Sequence, residues 1–275
     1  MKKIIILMIG MVLLATGSVF CMDIDNMMSQ LIETKKGIAD TFVSIDKDIS
    51  LAARELSIID FKSEAARNTL EKLSKNKDYL IDCAIVDAAG KMVVVEPTEY
   101  SKYEGSDIST QAHVIAMRQD KKPMLSDVFR SVEGTKAVDF EYPIFSAAGE
   151  FLGSVSMLVK QQSLTGDIIM PIVGGESCNI WIMQKDGLII YDADQNQIGR
   201  NIFTDIFFRQ FSQLISFSKT VSEARDGGGS YDFYDKGLTD TTVVKKYALW
   251  DTVSLYGTEW RIIAMEASQP EKQKK

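Results

Sequence analysis

From residue 23 to about residue 75 the apolar positions keep to one stripe. Met28, Leu31, Ile38, Phe42, Ile45, Ile49, Ala52, Leu56, Ile59, Ala66, Leu70 and Leu73 recur at alternating spacings of three and four, with Lys35 and Ser63 filling two slots. That period predicts a helix with one buried face along its whole length. Residues 57–62 are expected to break it, with Asp60 capping the shorter second piece. Both a self-associating helix and a helix laid along the chain's own sheets need such a stripe. The second arrangement is the expectation.

Beyond Tyr79 the pattern changes to short β-branched runs. Residues 81–86, the turn Asp87-Ala88-Ala89-Gly90 and residues 92–95 read as a hairpin. Strands are expected again over 123–130, 135–145 and 150–159, the last two joined by Ser146-Ala147-Ala148-Gly149. A loop-and-helix excursion between hairpin and strands would cover one face of this sheet and leave a concave, partly apolar pocket. A second hairpin, 180–183 and 188–191 around Lys185-Asp186-Gly187, repeats the first when Gly187 is set on Gly90. Ile198-Gly199-Arg200-Asn201-Ile202 then parallels Glu104-Gly105-Ser106-Asp107-Ile108. A repeat of about a hundred residues has the size of tandem domains.

The rest follows the same reading. Residues 201–222 are expected to be an amphipathic helical region with Ile206, Phe207, Phe211, Leu214 and Ile215 inside. Residues 226–230, Asp-Gly-Gly-Gly-Ser, read as a flexible loop, and 231–234, 243–250 and 260–265 as closing strands. The fold class is therefore α/β of the α+β kind: a long N-terminal helix carrying two tandem antiparallel-sheet modules. The expected divisions are a leader (1–22), the helical region (23–78), a first module (79–163), a connector (164–178), a second module (179–268) and a polar tail (269–275).

Composition narrows the function. With 275 residues, 45% hydrophobic and 25% charged, the chain is ordinary globular protein. Its net charge of −7 argues against nucleic acid, whose binders carry a basic face. Lys2 and Lys3 before the apolar run 4–14, with Ala15-Thr16-Gly17 after it, read as a signal peptide. The run is shorter than the roughly 20 residues that span a bilayer. An extracytoplasmic protein, periplasmic or secreted, is expected. A lipid anchor at Cys21 would need a small residue where Phe20 stands. Cys83 and Cys178 are expected to be small apolar strand residues.

Catalytic chemistry is sparse. One histidine, His113, gives no histidine-based zinc site, and there is no Cys-x-x-Cys. Neither a Gly-x-Ser-x-Gly elbow nor a phosphate loop occurs. No enzyme, metal or cofactor is expected, a hydrolase being a remote alternative. His113 is either a solvated loop residue or, with Gln111, hangs over the sheet to hydrogen-bond a small polar ligand. Asp127, Phe129 and Ser131 alternate onto one side, as do Val138, Phe140 and Tyr142. The expected pocket is therefore Gln111, His113, Asp127, Phe129, Ser131, Phe140 and Tyr142, unless the aromatics are plain core. A histidine of ordinary pKa, about 6.5, would make such a site pH-dependent.

The turns at Gly90 and Gly187 are joined by Gly105-Ser106-Asp107-Ile108-Ser109, Leu125-Ser126-Asp127-Val128-Phe129 and Gly257-Thr258-Glu259-Trp260-Arg261. In this order, behind the long helix, they resemble a double Cache sensor domain over residues 23–267. The resemblance implies two PAS-like extracytoplasmic modules and a small-molecule ligand, held in the first, membrane-distal one. Amino-acid-binding members place an Arg, two aromatics and a later Asp where this chain has Gln111, His113, Val114 and Leu158. The ligand is therefore expected to be an organic acid or small neutral metabolite, reported to a membrane signalling protein. A homodimer through the N-terminal helix is a further expectation. The alternatives are a free-standing buffering or delivery protein and a structural module with a side-chain-filled pocket.

Overall fold

The computed structural model describes residues 23–174 and 178–268; the expected leader, Cys21 and the polar tail lie outside them. Asp23 opens the first helix by accepting a hydrogen bond from the Asn26 backbone N–H, and α1 then runs over Ile24–Leu56. At 1.5 Å per residue it is roughly 50 Å long. Leu31, Ile38, Phe42, Ile45, Ile49, Ala52 and Leu56 are buried along it as the stripe predicts. Its first turns are rotated: Met27, Gln30 and Thr34 lie inside, Met28 is 43% exposed, and Lys35 reaches out to Asp251 at 2.7 Å. A straight helix drifts by about 20° per heptad, so a strict three-four stripe loses phase toward one end. After the break, Ser63 rather than Asp60 caps α2 (Glu64–Ser74), accepting from the Ala66 N–H.

The first sheet holds β1 (Leu80–Asp87), β2 (Met92–Glu96), β3 (Met124–Leu125), β4 (Phe129–Arg130), β5 (Lys136–Phe145) and β6 (Phe151–Val159). All pairings are antiparallel in the order β2-β1-β6-β5-β3, with β4 also on β5. The strand expected over 123–130 is only these two short bridges. Between them the Asp139 N–H donates to the Ser126 hydroxyl instead of a backbone carbonyl, which interrupts the ladder. A 3-10 turn, Thr98–Tyr103, and α3 (Ala112–Asp120) form the excursion.

Most of the expected connector is a helix, α4 (Gln161–Val173), ended by Gly174 in the left-handed conformation. Gly166 and Pro171 suggest a loop, but burial of Leu164 and Ile169 offsets their low helix propensity. Where α4 crosses α1, a Cβ on Gly37 would stand 2.6 Å from Ile168, so the crossing needs glycine there.

The second sheet contains β7 (Cys178–Gln184), β8 (Ile189–Tyr191), β9 (Gly227–Tyr234), β10 (Val243–Leu255) and β11 (Thr258–Ala267), in the order β8-β7-β11-β10-β9. A 3-10 turn, Ile206–Gln210, and α5 (Ser212–Glu223) cover its outer face. Within that turn Phe208 is buried, whereas Ile206, expected inside, is 74% exposed. The expected flexible loop 226–230 is mostly the first half of β9. The Trp250 indole lies over Gly227, leaving no room for a side chain, and Phe217 lies over Gly229.

One apolar core runs through both sheets, and α1 lies along it. The Phe42 ring meets Phe140 of the first sheet edge-on at 5.6 Å and Trp260 of the second at 5.0 Å. Cys83 is a buried free thiol in this core.

Candidate functional site

Strand register decides which side chains line the outer face of the first sheet. Leu158 of β6 has Asp82 of β1 and Asp139 of β5 as its cross-strand partners. The parallel row two residues on is Ala84, Ser156 and Glu141. Side chains alternate, so the rows between point the other way. Phe140 and Tyr142 belong to those: Phe140 is buried on Phe42, and Tyr142 packs against the same core. Neither aromatic lies with His113.

The excursion brings His113 onto the acidic face. It sits in the first turn of α3 with 7% exposure, its ring on Phe129 at 4.3 Å between centroids and its Nε2 3.7 Å from Asp139 Oδ2. Ser131 is buried, with a hydroxyl that has no partner. Gln111 stands half-buried at the N-cap of α3 and makes no capping bond with its side chain. Asp127 is exposed and turned to the second sheet, where it accepts from Gln184. Of the seven expected residues, His113 and Phe129 are brought together here, and Ser131 is buried two residues on from Phe129. Asp127, Phe140 and Tyr142 are directed elsewhere.

The sheet face beneath α3 is acidic. Asp82, Asp139 and Glu141 are each at most 2% exposed. Ser156 donates to Asp139 Oδ1 and Ser154 to Glu141 Oε1, which fixes one oxygen of each carboxyl. Among the described residues, Oε2 of Glu141 is buried with no hydrogen-bond partner, and Oδ2 of Asp82 and Oε1 of Glu133 are buried with no N–H or hydroxyl donor, the two carboxyls lying against each other so that protonation of one lets it donate to the other. Among the described residues no Lys or Arg pairs with any of these four acids; Glu96, buried nearby on β2, has Arg67. Burial, then the neighbouring Glu133 and Asp139, hold the Asp82 carboxyl well above the usual range. Burial and Glu141 do the same to Asp139. Glu141 is pushed up by burial to about 7, against the Ser154 hydrogen bond. Burial lowers His113 to about 4, so its imidazole is neutral at neutral pH and cannot serve as the cation for an anionic ligand. The acids make this face unfavourable for the organic acid expected from sequence.

Such a face suits a cation. An ammonium can be received by the unpartnered carboxyl oxygens, each hydrogen bond being charge-assisted. One ligand atom each of His113, Asp139 and Glu141 lie within 4.8 Å of one another, so these three could also hold a metal ion. Neutral imidazole is the ligating form, and the two serines orient the carboxyls from behind. A single histidine thus does not exclude a mixed histidine–carboxylate site. The acids are the residues that sequence reasoning missed. The available signal was Asp82 inside an apolar strand and the alternation Val138-Asp139-Phe140-Glu141-Tyr142.

Residues 40–161 match the model of the HK/GC/chemotaxis protein-like sensor domain family. No curated protein matches the chain. Among solved structures, an extracellular ligand-binding receptor from Desulfohalobium retbaense is 29% identical with a TM-score of 0.75, over 89% of this chain and 41% of that one. The chain therefore spans about two fifths of that receptor's length. The ligand-binding domain of the Pseudomonas aeruginosa amino acid chemoreceptor PctB, in complex with L-Arg, is 15% identical with a TM-score of 0.64, over 88% and 94% of the two chains. That of PctC from the same organism, in complex with GABA, is 15% identical with a TM-score of 0.61, over 88% and 98%. Among the described residues no helix is long and apolar enough to cross a membrane.

Proposed function

We propose that this chain, whose two sheets on one long helix have the double Cache fold, is an extracytoplasmic sensor module that binds a small organic cation over its first sheet. Its occupancy is reported to a membrane signalling partner. The observation that carries the ligand class is the set of buried acids, Asp82, Asp139 and Glu141, which among the described residues have no Lys or Arg partner. Without a cation these carboxyls are held far from their ordinary protonation. With one, desolvation is offset by charge-assisted hydrogen bonds. The ligands named for the two chemoreceptor domains, L-Arg and GABA, each carry an ammonium. Both also carry a carboxylate, for which His113, lowered by burial to about 4, offers no positive charge on this face.

Titration calorimetry tests this with primary amines and diamines, the matched carboxylic acids, and zinc. Amine binding that weakens at least tenfold in Asp139→Asn supports the reading. Binding of the acids alone sinks it. Zinc binding lost in His113→Ala, with no amine bound, replaces the organic cation by a metal ion.

A further inference from the structure

The second sheet has a cleft of its own. About 540 Å³ of space lies between β7, the segment after β8, the 3-10 turn Gly237–Thr239 and β10, lined by Trp181, Asp192, Gln197, Lys246 and Met265. Tyr231 and Phe233 form an apolar floor beneath the same polar group. The volume suits a small organic molecule.

Its polar groups are unusual for a core. Lys246 is only 3% exposed, and its ammonium spends one hydrogen bond on the Asp235 carbonyl. Asp192 faces the same space, with one oxygen accepting from the Asp194 N–H. These opposite charges interact through the cleft, yet they are more than 4.0 Å apart and form no ion pair. Trp181 Nε1 is buried and has no acceptor in hydrogen-bonding geometry, its neighbour being the Tyr231 hydroxyl. The Gln197 amide, 7% exposed, has no hydrogen bond to another of the described residues. Asp194, by contrast, is fully used, accepting from Asn196 and from the Leu238 N–H, and so ties the rim together.

A buried ammonium left apart from a half-buried carboxylate, with unused donors beside the cation, is costly unless something bridges the two. We propose that this cleft is a second ligand site, distinct from the one over the first sheet, and that it takes a small zwitterion. The ligand carboxylate would accept from Lys246, Trp181 Nε1 and Gln197. Its ammonium would donate to Asp192, and Met265, Tyr231 and Phe233 would take a short apolar side chain. With Asp192 ionised, as a ligand ammonium would hold it, Lys246 and Asp192 together carry no net charge, which matches a zwitterion and disfavours a lone amine or a lone acid.

The experiment is titration calorimetry on the whole protein with small neutral amino acids, each compared with its decarboxylated amine and its deaminated acid. Lys246→Met and Asp192→Asn should each weaken zwitterion binding roughly ten- to a hundredfold, the loss of a charged hydrogen bond. Trp181→Phe, which keeps the packing, should weaken it severalfold and guards against a folding defect in the charge variants. Asp139→Asn should leave zwitterion binding unchanged, which separates this site from the first. No zwitterion binding to the wild type, or binding lost in Asp139→Asn but kept in Asp192→Asn, overturns the proposal.

Discussion

Gln184 holds the Asp127–Val128 peptide from two sides. Its Nε2 donates to Asp127 Oδ1 at 2.5 Å and its Oε1 accepts from the Val128 N–H at 3.2 Å. Gln184 belongs to the second sheet, and Phe129, one residue beyond Val128, packs against His113 over the first. Gln184→Ala should therefore cost about 1–2 kcal/mol, two hydrogen bonds lost with the exposed Asp127 carboxylate returned to water. It should also weaken ligand binding at the first sheet severalfold without touching the ligand. Calorimetry and hydrogen exchange over residues 126–131 check this; unchanged protection there would mean that the clip does not hold the segment.

Asp139→Asn removes a buried charge while keeping an oxygen for the Ser156 hydroxyl. At pH 8 the empty variant should melt at the same temperature as the wild type or higher, while its amine affinity falls at least tenfold. Thermal unfolding with and without amine reads both effects. A variant that melts well below the wild type would show that the carboxylate is structural.

The empty protein should gain stability on mild acidification. Glu141 and Asp192, both pushed up by burial to about 7, bind protons when folded that the unfolded chain releases down to the ordinary carboxylate range. Their contribution is present at low pH and is lost as pH rises through about 7. His113, lowered to about 4, acts the other way, since the unfolded imidazole gains a proton below about 6.5. Between pH 8 and pH 6 the two acids prevail, by on the order of 2 kcal/mol. Differential scanning calorimetry should give a higher Tm at pH 6 than at pH 8, and saturating amine should flatten the difference if it holds Glu141 ionised. A Tm that falls from pH 8 to pH 6 contradicts the burial of these acids.

Phe42→Ala should cost about 3–5 kcal/mol, a large aromatic deleted from a dense core. Because its ring touches Phe140 and Trp260, both sheets should lose stability together. Urea unfolding followed by Trp fluorescence and by far-ultraviolet dichroism should give one coincident transition; two separated transitions would refute a common core.

Residues 226–230 should resist limited proteolysis despite three consecutive glycines, since Gly227–Gly229 are paired with Leu249, Trp250 and Ala248 in β10. Early cleavage there, read by mass spectrometry, would contradict the strand.

Much of the fold is legible in the residues. The stripe from Ile38 to Leu56 and the hairpin turns at Gly90 and Gly187 are set by local periodicity and by positive φ, and both are visible along the chain. The glycine run is misleading because its cause is distant: Trp250 and Phe217 claim the volume that side chains would need. The candidate site is the harder case. Alternation along β5 separates Phe140 from Asp139 but cannot say which face is wet when both are covered. Acids are ordinarily the solvated side of a strand, so Asp139 and Glu141 suggest water where the excursion with His113 closes over them. Only register across β1, β6 and β5, which joins residues some sixty positions apart, brings Asp82 and Asp139 to the same place.

The sharing of α1 bears on how such a chain arises and how it can be divided. Sequence similarity picks out residues 40–161 as a unit, yet that cut begins inside α1, discards Met27, Leu31 and Ile38, and leaves Phe42 and Phe140 facing the space that Trp260 fills. The two halves resemble a duplication, but the copies have only one spine between them. A gene fragment that encodes a recognisable half would thus express a polypeptide with an open apolar flank, and recombination can exchange these halves only by carrying the helix along.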